Sequence, residues 1–367
     1  MNVISSWFKR NFSDPQIVIL ISVLILGFVF IIYFGKPLAP FLTSIVVAYL
    51  LESVIARLEK LKFPRVFAVG LVFLVFIVLM FVLIIWLVPK LTSQVTQLVQ
   101  ASPAYISEVL DYLRTLPEKY PTMIEPSQVQ SVIAGITNEM TKWGQNILGK
   151  TVSSVFSAFS IAVFIVVMPI LVFFLLKDKA MIVSWLRQFV PKDSKLTLSV
   201  WHQVDIQIGN YIRGKAFEIL LVGLASYIVF VFLDLQYAIL LATLTGFSVL
   251  VPFIGAVAVT VPIALVAFVQ FGWTAPFAYV MISYGVIQML DGNVLVPWLF
   301  SEVNNLHPVA IIVAVLFFGG VWGFWGVFFA IPLATLVNAI IESWPKTIIN
   351  PQQESTGHVT HGDSNVE

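Results

Sequence analysis

The sequence predicts an all-α polytopic membrane protein with about eight transmembrane helices, two of them broken or hairpin-like, and amphipathic helices outside the membrane. Of its 367 residues, 59% are hydrophobic and 11% are charged, whereas roughly 25% are charged in soluble domains. A water-soluble fold cannot hide so much apolar surface. The apolar residues are also gathered into runs near the ~20 residues that a helix needs to cross a bilayer.

Eight apolar runs are the candidate spans. In chain order they are Ile17–Phe34, Pro37–Leu51, Val66–Val88, Val152–Leu176, Ala216–Leu233, Tyr237–Phe271, Ala275–Leu290 and Pro308–Ile341. The first follows Lys9 and Arg10 as a secretory signal would. It is nevertheless long enough to span, and no small-residue cleavage pattern follows it, so we expect a retained helix.

The sixth and eighth runs are too long for one straight pass, and both contain helix breakers. Each is predicted to be a broken helix or a tight hairpin that turns inside the membrane, for eight to ten passes in total. The candidate break or gating residues are Pro252, Gly255, Pro262, Pro297, Pro308, Gly319, Gly320, Gly323, Gly326 and Pro332. The G-x-x-x-G spacing from Gly319 to Gly323 is typical of close helix packing, with a flexible break beside a substrate path as the alternative.

Lysine and arginine set the predicted orientation. Basic residues in the loop 52–65 and in the segment 177–215 fall on one side if the passes alternate. The positive-inside rule makes that side cytoplasmic, so we expect both termini in the cytoplasm of a bacterial cell with the chain in its inner membrane. The expected organisation is a cytoplasmic N-terminus (1–16), three spans (17–88), a periplasmic amphipathic segment (89–151), a fourth span (152–176), a basic cytoplasmic amphipathic segment (177–215), a C-terminal bundle with broken helices (216–345) and a disordered cytoplasmic tail (346–367).

The periplasmic segment is predicted to hold two amphipathic helices. Ser102–Pro103 has the character of a helix cap and first turn, and Pro117, Pro121 and Pro126 then interrupt the pattern. These helices either rest on the membrane or contact neighbouring subunits. In the C-terminal bundle, Asp234 is predicted to be a turn residue between two spans.

Several kinds of chemistry are excluded by residue types. The stretch from Gly209 to Ala216 has the spacing of a phosphate-binding loop, but Ala216 stands where a hydroxyl must hold magnesium. The chain has no cysteine, its four histidines lack metal-ligand spacing, and no nucleophile elbow is present. We therefore expect no enzyme activity, no cofactor, no metal site and, with a net charge of +1, no nucleic-acid partner.

The region from Asp291 to Pro308 interrupts the apolar sequence with polar residues. Ionisable residues inside a membrane are functional candidates by default, so Asp291, Asn293 and His307, together with Arg213, are the candidate substrate or coupling residues. The alternative is an interfacial loop in which Asp291 faces water. Glu218 is expected to reach the interface and to pair with Lys215.

Six short motifs in the same order resemble the autoinducer-2 exporter (AI-2E) family. They are Phe173–Asp178, Tyr211–Lys215, Val251–Ala256, Asp291–Pro297, Leu306–Pro308 and Gly319–Leu333. The resemblance covers roughly residues 10–345. It implies an eight-pass inner-membrane transporter that forms a homo-oligomer, with a pentamer favoured, in which the long outside segment helps the subunits to associate. It also implies that many relatives carry glutamate where this chain has Asp291.

Together these observations predict a secondary transporter that exports a small polar solute, coupled to protons or sodium. Broken spans, intramembrane polar residues and the missing nucleotide site favour it. The alternatives are a sodium/proton antiporter, a passive channel and a non-transporting oligomeric scaffold.

Overall fold

The computed structural model describes residues 38–121, 125–135, 137–138, 154–188, 195–252, 254–300 and 306–343. The predicted first span, the N-terminal segment 1–16 and the tail 346–367 lie outside these ranges. All regular structure within them is helical, which confirms the all-α class. The helices are α1 (Ala39–Lys60), α2 (Arg65–Lys119), α3 (126–135), α4 (Ser154–Lys177), α5 (Lys179–Arg187), α6 (Lys195–Phe232), α7 (Ala238–Ser248), α8 (Ile254–Phe271), α9 (Ala275–Phe300), α10 (Pro308–Trp322) and α11 (Phe324–Ser343).

Membrane-spanning helices occur in both halves of the described chain. Five helices there are long and apolar enough to cross a bilayer, and they lie in α1, α2, α6, α8 and α9. Many of their large apolar side chains are exposed, as in Phe232 at 87% and Val66 at 85%. In water these surfaces would be unfavourable, but in lipid they are the expected outer face.

The N-terminal half packs α1 against α2 and α4. The buried apolar contacts come from Ile55, Ala68, Val69, Val72, Met168, Val172 and Leu176. At one end of this unit Arg65 lies 3.4 Å from Glu52 and 3.2 Å from Glu59, and its second guanidinium nitrogen donates to the Leu176 carbonyl at 3.0 Å. These contacts tie the end of α1 to the start of α2 and the end of α4.

The predicted helix start at Ser102–Pro103 is wrong, because α2 runs without interruption from Arg65 to Lys119. Pro103 has no N–H to offer the Val99 carbonyl four residues earlier. The Ser102 hydroxyl donates to that carbonyl instead, at 2.8 Å. The apolar span and the amphipathic segment that follows it are therefore one rod, and the predicted boundary at residue 88 falls inside a helix.

The predicted boundary at residue 215 is also internal to a helix. α6 continues from the basic amphipathic segment into the apolar span and ends at Phe232. Gly214 does not stop it, because this glycine serves packing: a Cβ there would lie 2.6 Å from the Phe300 ring. The apparent phosphate-binding loop lies wholly within this helix. The turn predicted at Asp234 is confirmed, and its φ is +52°.

Two π-helical turns precede prolines in the long helices. One covers Leu83–Leu87 before Pro89 in α2, and the other covers Asp291–Leu295 before Pro297 in α9. A proline ring crowds the carbonyl four residues earlier, and a wider turn relieves that crowding. The break predicted at Pro297 is wrong, because α9 widens there and continues to Phe300.

The other candidate prolines have different outcomes. Pro262 and Pro332 lie inside α8 and α11, which continue past them, so neither breaks its helix. Pro308 occupies the first turn of α10, where a proline costs no hydrogen bond. Pro252 lies between two helices and does separate them.

The predicted sixth span is an antiparallel helix pair, α7 and α8, named hairpin A here. Its two ends meet: the Gln236 N–H donates to Gln270 Oε1 at 2.8 Å, and Gln270 Nε2 donates to the Asp234 carbonyl at 2.6 Å. α7 has 11 residues and is therefore about 16 Å long, roughly half the ~30 Å of a hydrocarbon core. The chain enters and leaves this hairpin on the same side.

The bend of hairpin A is tightly packed. Pro252 lacks an N–H and ends the helical pattern after Ser248. Gly255 then lies against the Ser248 carbonyl, so close that a Cβ would overlap the carbonyl oxygen. Only a glycine permits this approach.

The predicted eighth span is a second antiparallel pair, α10 and α11, named hairpin B here. It turns at Gly323, whose φ is +62°. A Cβ on Gly319 would lie 2.8 Å from the Val327 side chain, and one on Gly326 would overlap the Phe318 carbonyl. Close packing is therefore confirmed at Gly319 and Gly326, whereas Gly323 is the turn residue and, like Gly320, has no neighbour within 4 Å of a Cβ position.

The two hairpins open at opposite ends of α9. Hairpin A ends at Phe271, just before α9 begins at Ala275, and Phe300 at the far end of α9 packs in the same apolar cluster as Ile311 near the start of hairpin B. The bend of hairpin A reaches hairpin B, since Val251 packs against the α10–α11 core. The hairpins thus approach each other from opposite ends of the bundle.

Candidate functional site

A buried ion pair lies near the middle of α6. Lys215 Nζ lies 3.0 and 2.8 Å from the two carboxylate oxygens of Glu218. The two residues are 4% and 1% exposed. The predicted pairing is confirmed, but the expectation that Glu218 reaches the interface is wrong, because the packing of α7 and α9 on α6 covers its side chain.

The ion pair is held against the bend of hairpin A. Lys215 Nζ also donates to the Val249 carbonyl at 2.8 Å, a group that the end of α7 leaves free. On its other side the ammonium lies 5.3 Å from the centre of the Phe300 ring, within the range of a cation–π interaction. Lys215 therefore links three elements: α6, the hairpin bend and the end of α9.

Asp291 joins this pair to make a charge cluster, defined here as Lys215, Glu218 and Asp291. Asp291 begins the π-helical turn of α9 and is 9% exposed. It interacts electrostatically with both Lys215 and Glu218. The interfacial-loop alternative is wrong, since Asp291 lies within a continuous helix and is covered by protein.

The surroundings of the cluster hold polar atoms without partners among the described residues. Asp291 Oδ1, Gln288 Nε2 and Ser226 Oγ are buried and have no hydrogen-bond partner there. Gln288 lies one turn before Asp291 in α9, and Ser226 lies two turns after Glu218 in α6. Buried polar atoms are normally satisfied, so Asp291 Oδ1 and Gln288 Nε2 leave hydrogen-bonding capacity next to the buried charges, whereas Ser226 Oγ lies about 12 Å further along α6.

Aromatic side chains close the cluster on the side of hairpin B. The Tyr211 hydroxyl donates to the Phe328 carbonyl at 3.0 Å, and the Tyr211 ring lies 5.9 Å from that of Phe300. Tyr211 is 1% exposed. This wall connects α6 to α11 directly and limits water access to the charges.

The other predicted site residues have different positions. Arg213 is exposed and bonds Ser53 at 3.2 Å and Asn210 at 2.7 Å. Nearby, the Tyr49 hydroxyl bonds Asp205, a second link between α1 and α6. Arg213 therefore joins α6 to α1, and no contact that the structure shows connects it to Asp291.

Asn293 and His307 make local contacts. Asn293 is exposed, and its amide donates to the Met289 carbonyl at 2.9 Å. His307 Nδ1 accepts the Val309 N–H at 3.3 Å, which makes His307 the cap of α10. Of the four predicted residues, the structure places Asp291 alone in the charge cluster.

Sequence reasoning missed Lys215 and Glu218 as site residues. Their spacing of three predicted the ion pair, but nothing in the local sequence indicates that hairpin A folds over it. The available signal was Glu218 itself, a carboxylate in an apolar run of α6, which is costly in a membrane unless protein covers and pairs it.

Removing one partner of the buried pair should destabilise the protein strongly. We expect Lys215→Met to lower the free energy of unfolding by about 3–5 kcal/mol, because Glu218 is then left buried without its cation. The double variant Lys215→Met/Glu218→Gln should recover part of this loss. Thermal unfolding in detergent measures both effects.

The control for this prediction is the exposed pair of Asp111 and Arg114, which has the same spacing and a distance of 2.9 Å. Arg114→Ala should change stability by less than about 1 kcal/mol, as exposed pairs contribute little. Equal losses at Lys215 and Arg114 would contradict the assignment of Lys215 to a buried site.

Spanning helices, two opposed hairpins and charges buried between them are the features of a polytopic membrane transport protein. Comparison with known proteins supports this class. The chain belongs to the AI-2E family of transporters, whose family model matches residues 19–346.

Individual relatives cover most of the chain. "Putative permease PerM" of Escherichia coli K12 is 41% identical over 94% of this chain and 98% of its own length. "Putative transport protein YueF" of Bacillus subtilis is 26% identical over 84% and 85%, and "AI-2 transport protein TqsA" of Escherichia coli is 20% identical over 89% and 92%. The short motifs Ser13–Pro15 and Phe300–Glu302 also resemble PerM.

Proposed function

We propose that this protein is a secondary transporter of the bacterial inner membrane that moves a small polar solute, in the export direction, at the charge cluster. The observation that carries the proposal is the burial of two carboxylates and one ammonium where the bend of hairpin A meets α6 and α9. Transporters build their sites where discontinuous helices meet, because freed backbone groups and charges can then bind solute and ions.

The hairpins support a specific topology. α7 is too short to cross a bilayer, and hairpin A begins and ends on one side of the bundle. Hairpin B begins at the opposite end of α9. We infer six full crossings, by the segment 17–34, α1, α2, α4, α6 and α9, and two re-entrant hairpins that enter from opposite faces. α8 is long enough to cross, but it pairs with the short α7 and its end returns to the start of that helix. Both termini are then cytoplasmic, as the distribution of basic residues predicts.

The charge balance of the cluster supports ion coupling. With all three groups ionised, Glu218 and Asp291 exceed Lys215 by one negative charge, and a buried uncompensated charge is unfavourable. A proton or a sodium ion would neutralise it. The same property favours a sodium/proton antiporter as the second candidate, in which the ions are themselves the substrates.

The segment 89–151 is proposed to help subunits associate in a homo-oligomer, a pentamer by resemblance to the family. α2 supports this role, because its rod extends well beyond the apolar run and presents Val95 and Val99, which are 44% and 48% exposed.

Flux in vesicles tests the proposal. The purified protein is reconstituted into liposomes, and sodium and proton movement are followed after a gradient of either ion is imposed, with and without candidate polar solutes outside. We expect gradient-dependent flux that saturates with concentration. Flux that rises linearly without saturation would indicate a channel, and flux equal to that of protein-free vesicles would contradict transport.

A further inference from the structure

A second polar site lies at the other end of α6 from the charge cluster. About 26 Å of helix separate Lys215 from Phe232, at 1.5 Å per residue, and the turn after Phe232 forms one wall of a cavity of about 570 Å³. The cavity is lined by Lys90, Ser93, Gln94 and Gln97 of α2 and by Gln236, Tyr237 and Ile239.

The α2 wall is one helix face that changes character along its length. Lining residues recur at intervals of three or four, from Lys90 to Gln97, and so share a face. Further along, the same side of α2 is apolar, and Leu98, Ala101 and Tyr105 pack against the core between α6 and α9. The polar residues from Lys90 to Gln97 therefore lie on the side of α2 that faces the rest of the protein, and the cavity begins where the apolar packing of that side ends.

The walls are fixed by hydrogen bonds between elements. Gln94 Oε1 accepts the Leu240 N–H at 2.8 Å, which joins α2 to the first turn of α7. The Tyr105 hydroxyl lies 3.1 Å from Gln236 Oε1 and 3.4 Å from the Tyr237 hydroxyl. The cavity is therefore formed before any ligand enters, which lowers the cost of binding.

The lining chemistry selects the ligand. It supplies one cation, Lys90, with amide and hydroxyl groups, and none of the lining residues is acidic. Lys90 is also held 4.9 Å from the Trp86 ring. Tryptophan is enriched at membrane–water interfaces, and the apolar run of α2 ends just before Lys90. The cavity thus lies at the level where phosphate groups of lipids are found.

We propose that this cavity binds a molecule that combines a phosphate group with hydroxyls, the phosphate at Lys90 and the hydroxyls at the glutamine amides. A volume of about 570 Å³ is within the ~300–1,000 Å³ of ligand pockets and exceeds the needs of a bare phosphate ion. The same chemistry is present in a lipid headgroup and in a soluble phosphate ester. This site is independent of transport at the charge cluster.

Binding measurements on the purified, delipidated protein test the proposal and separate the two sources. One arm titrates glycerol 3-phosphate by calorimetry, and the other adds phosphatidylglycerol or phosphatidylcholine in mixed micelles and counts bound lipids by native mass spectrometry. The variants are Lys90→Gln and, as a matched control, Lys119→Gln, whose ammonium lies over the Tyr112 ring at 5.2 Å outside the cavity.

We expect Lys90→Gln to weaken binding in one arm at least ten-fold and Lys119→Gln to change it less than two-fold. If Lys90→Gln weakens the binding of glycerol 3-phosphate, the ligand is a soluble phosphate ester. If it weakens only the binding of phosphatidylglycerol, the ligand is a lipid headgroup. Equal binding by the native protein and the Lys90 variant in both arms, or the absence of binding in both, would overturn the proposal. Because the readout is binding, this result does not depend on whether flux is detected.

Discussion

Replacing Asp291 by asparagine is expected to reduce ion-coupled flux in reconstituted vesicles at least ten-fold. The substitution keeps the size of the side chain. It removes the one negative charge that is left over after Lys215 and Glu218 neutralise each other. Without that charge, a proton or sodium ion has no counter-charge in the low-dielectric interior. The measurement is the initial rate of flux after a sodium or proton gradient is imposed.

Two further variants make this prediction specific. Asp234→Asn is the same substitution in the turn after α6, where the residue has a φ of +52° that asparagine also tolerates, and flux should stay within two-fold of native. Asp291→Glu restores the charge and should recover flux. Full activity of Asp291→Asn would rule out Asp291 as the coupling group.

Gly326→Ala is expected to be one of the two most damaging single methyl additions in the C-terminal bundle, with Gly255→Ala as the other, because each new Cβ would overlap a backbone carbonyl oxygen. The Cβ of Gly326→Ala would overlap the Phe318 carbonyl and lie 3.0 Å from the Gly319 nitrogen. Both are backbone atoms that cannot rotate away, so hairpin B must open. We expect a loss of about 3 kcal/mol or more, at the upper end of overpacking effects, seen as a fall of at least about 5 °C in Tm.

Gly320→Ala is the matched control, since it is the same change in the same hairpin with no atom within 4 Å of the new Cβ. Alanine is also the better helix former, so Tm should be unchanged or slightly higher. If the two variants unfold at the same temperature, the close contact at Gly326 does not hold the hairpin together.

The helical class and the positions of both hairpins could be predicted from the sequence. Long apolar runs can only be helices in lipid, and the runs that begin at Tyr237 and Pro308 exceed one crossing and contain glycine and proline. These are local features. The turn at Asp234 and the pairing of Lys215 with Glu218 are local as well, and the structure confirms both.

Two predictions failed because a local hydrogen bond or a widened turn accommodates a proline inside a helix, and a third failed because it depends on contact with a distant segment. Ser102–Pro103 has the sequence of a helix start, yet the Ser102 hydroxyl satisfies the Val99 carbonyl and the helix continues. At Pro297 a π-helical turn absorbs the proline that was expected to break the span. The burial of Glu218 requires hairpin A to fold over α6, which no spacing within α6 can reveal.

The proposed transport site adjoins the bend of hairpin A, where Lys215 contacts the Val249 carbonyl, so we expect this bend to open to each side of the membrane in turn. Single-cysteine accessibility tests this expectation most directly. The chain has no native cysteine, so the thiol of Val251→Cys is the only one that can be labelled in that variant. Lys62→Cys and Trp273→Cys serve as separate reference variants for the cytoplasmic and the opposite face of the membrane. In oriented vesicles, a membrane-impermeant maleimide should label each reference from one face and Val251→Cys from both. Labelling of Val251→Cys from a single face under every gradient, or from neither, would contradict transport past the bend of hairpin A.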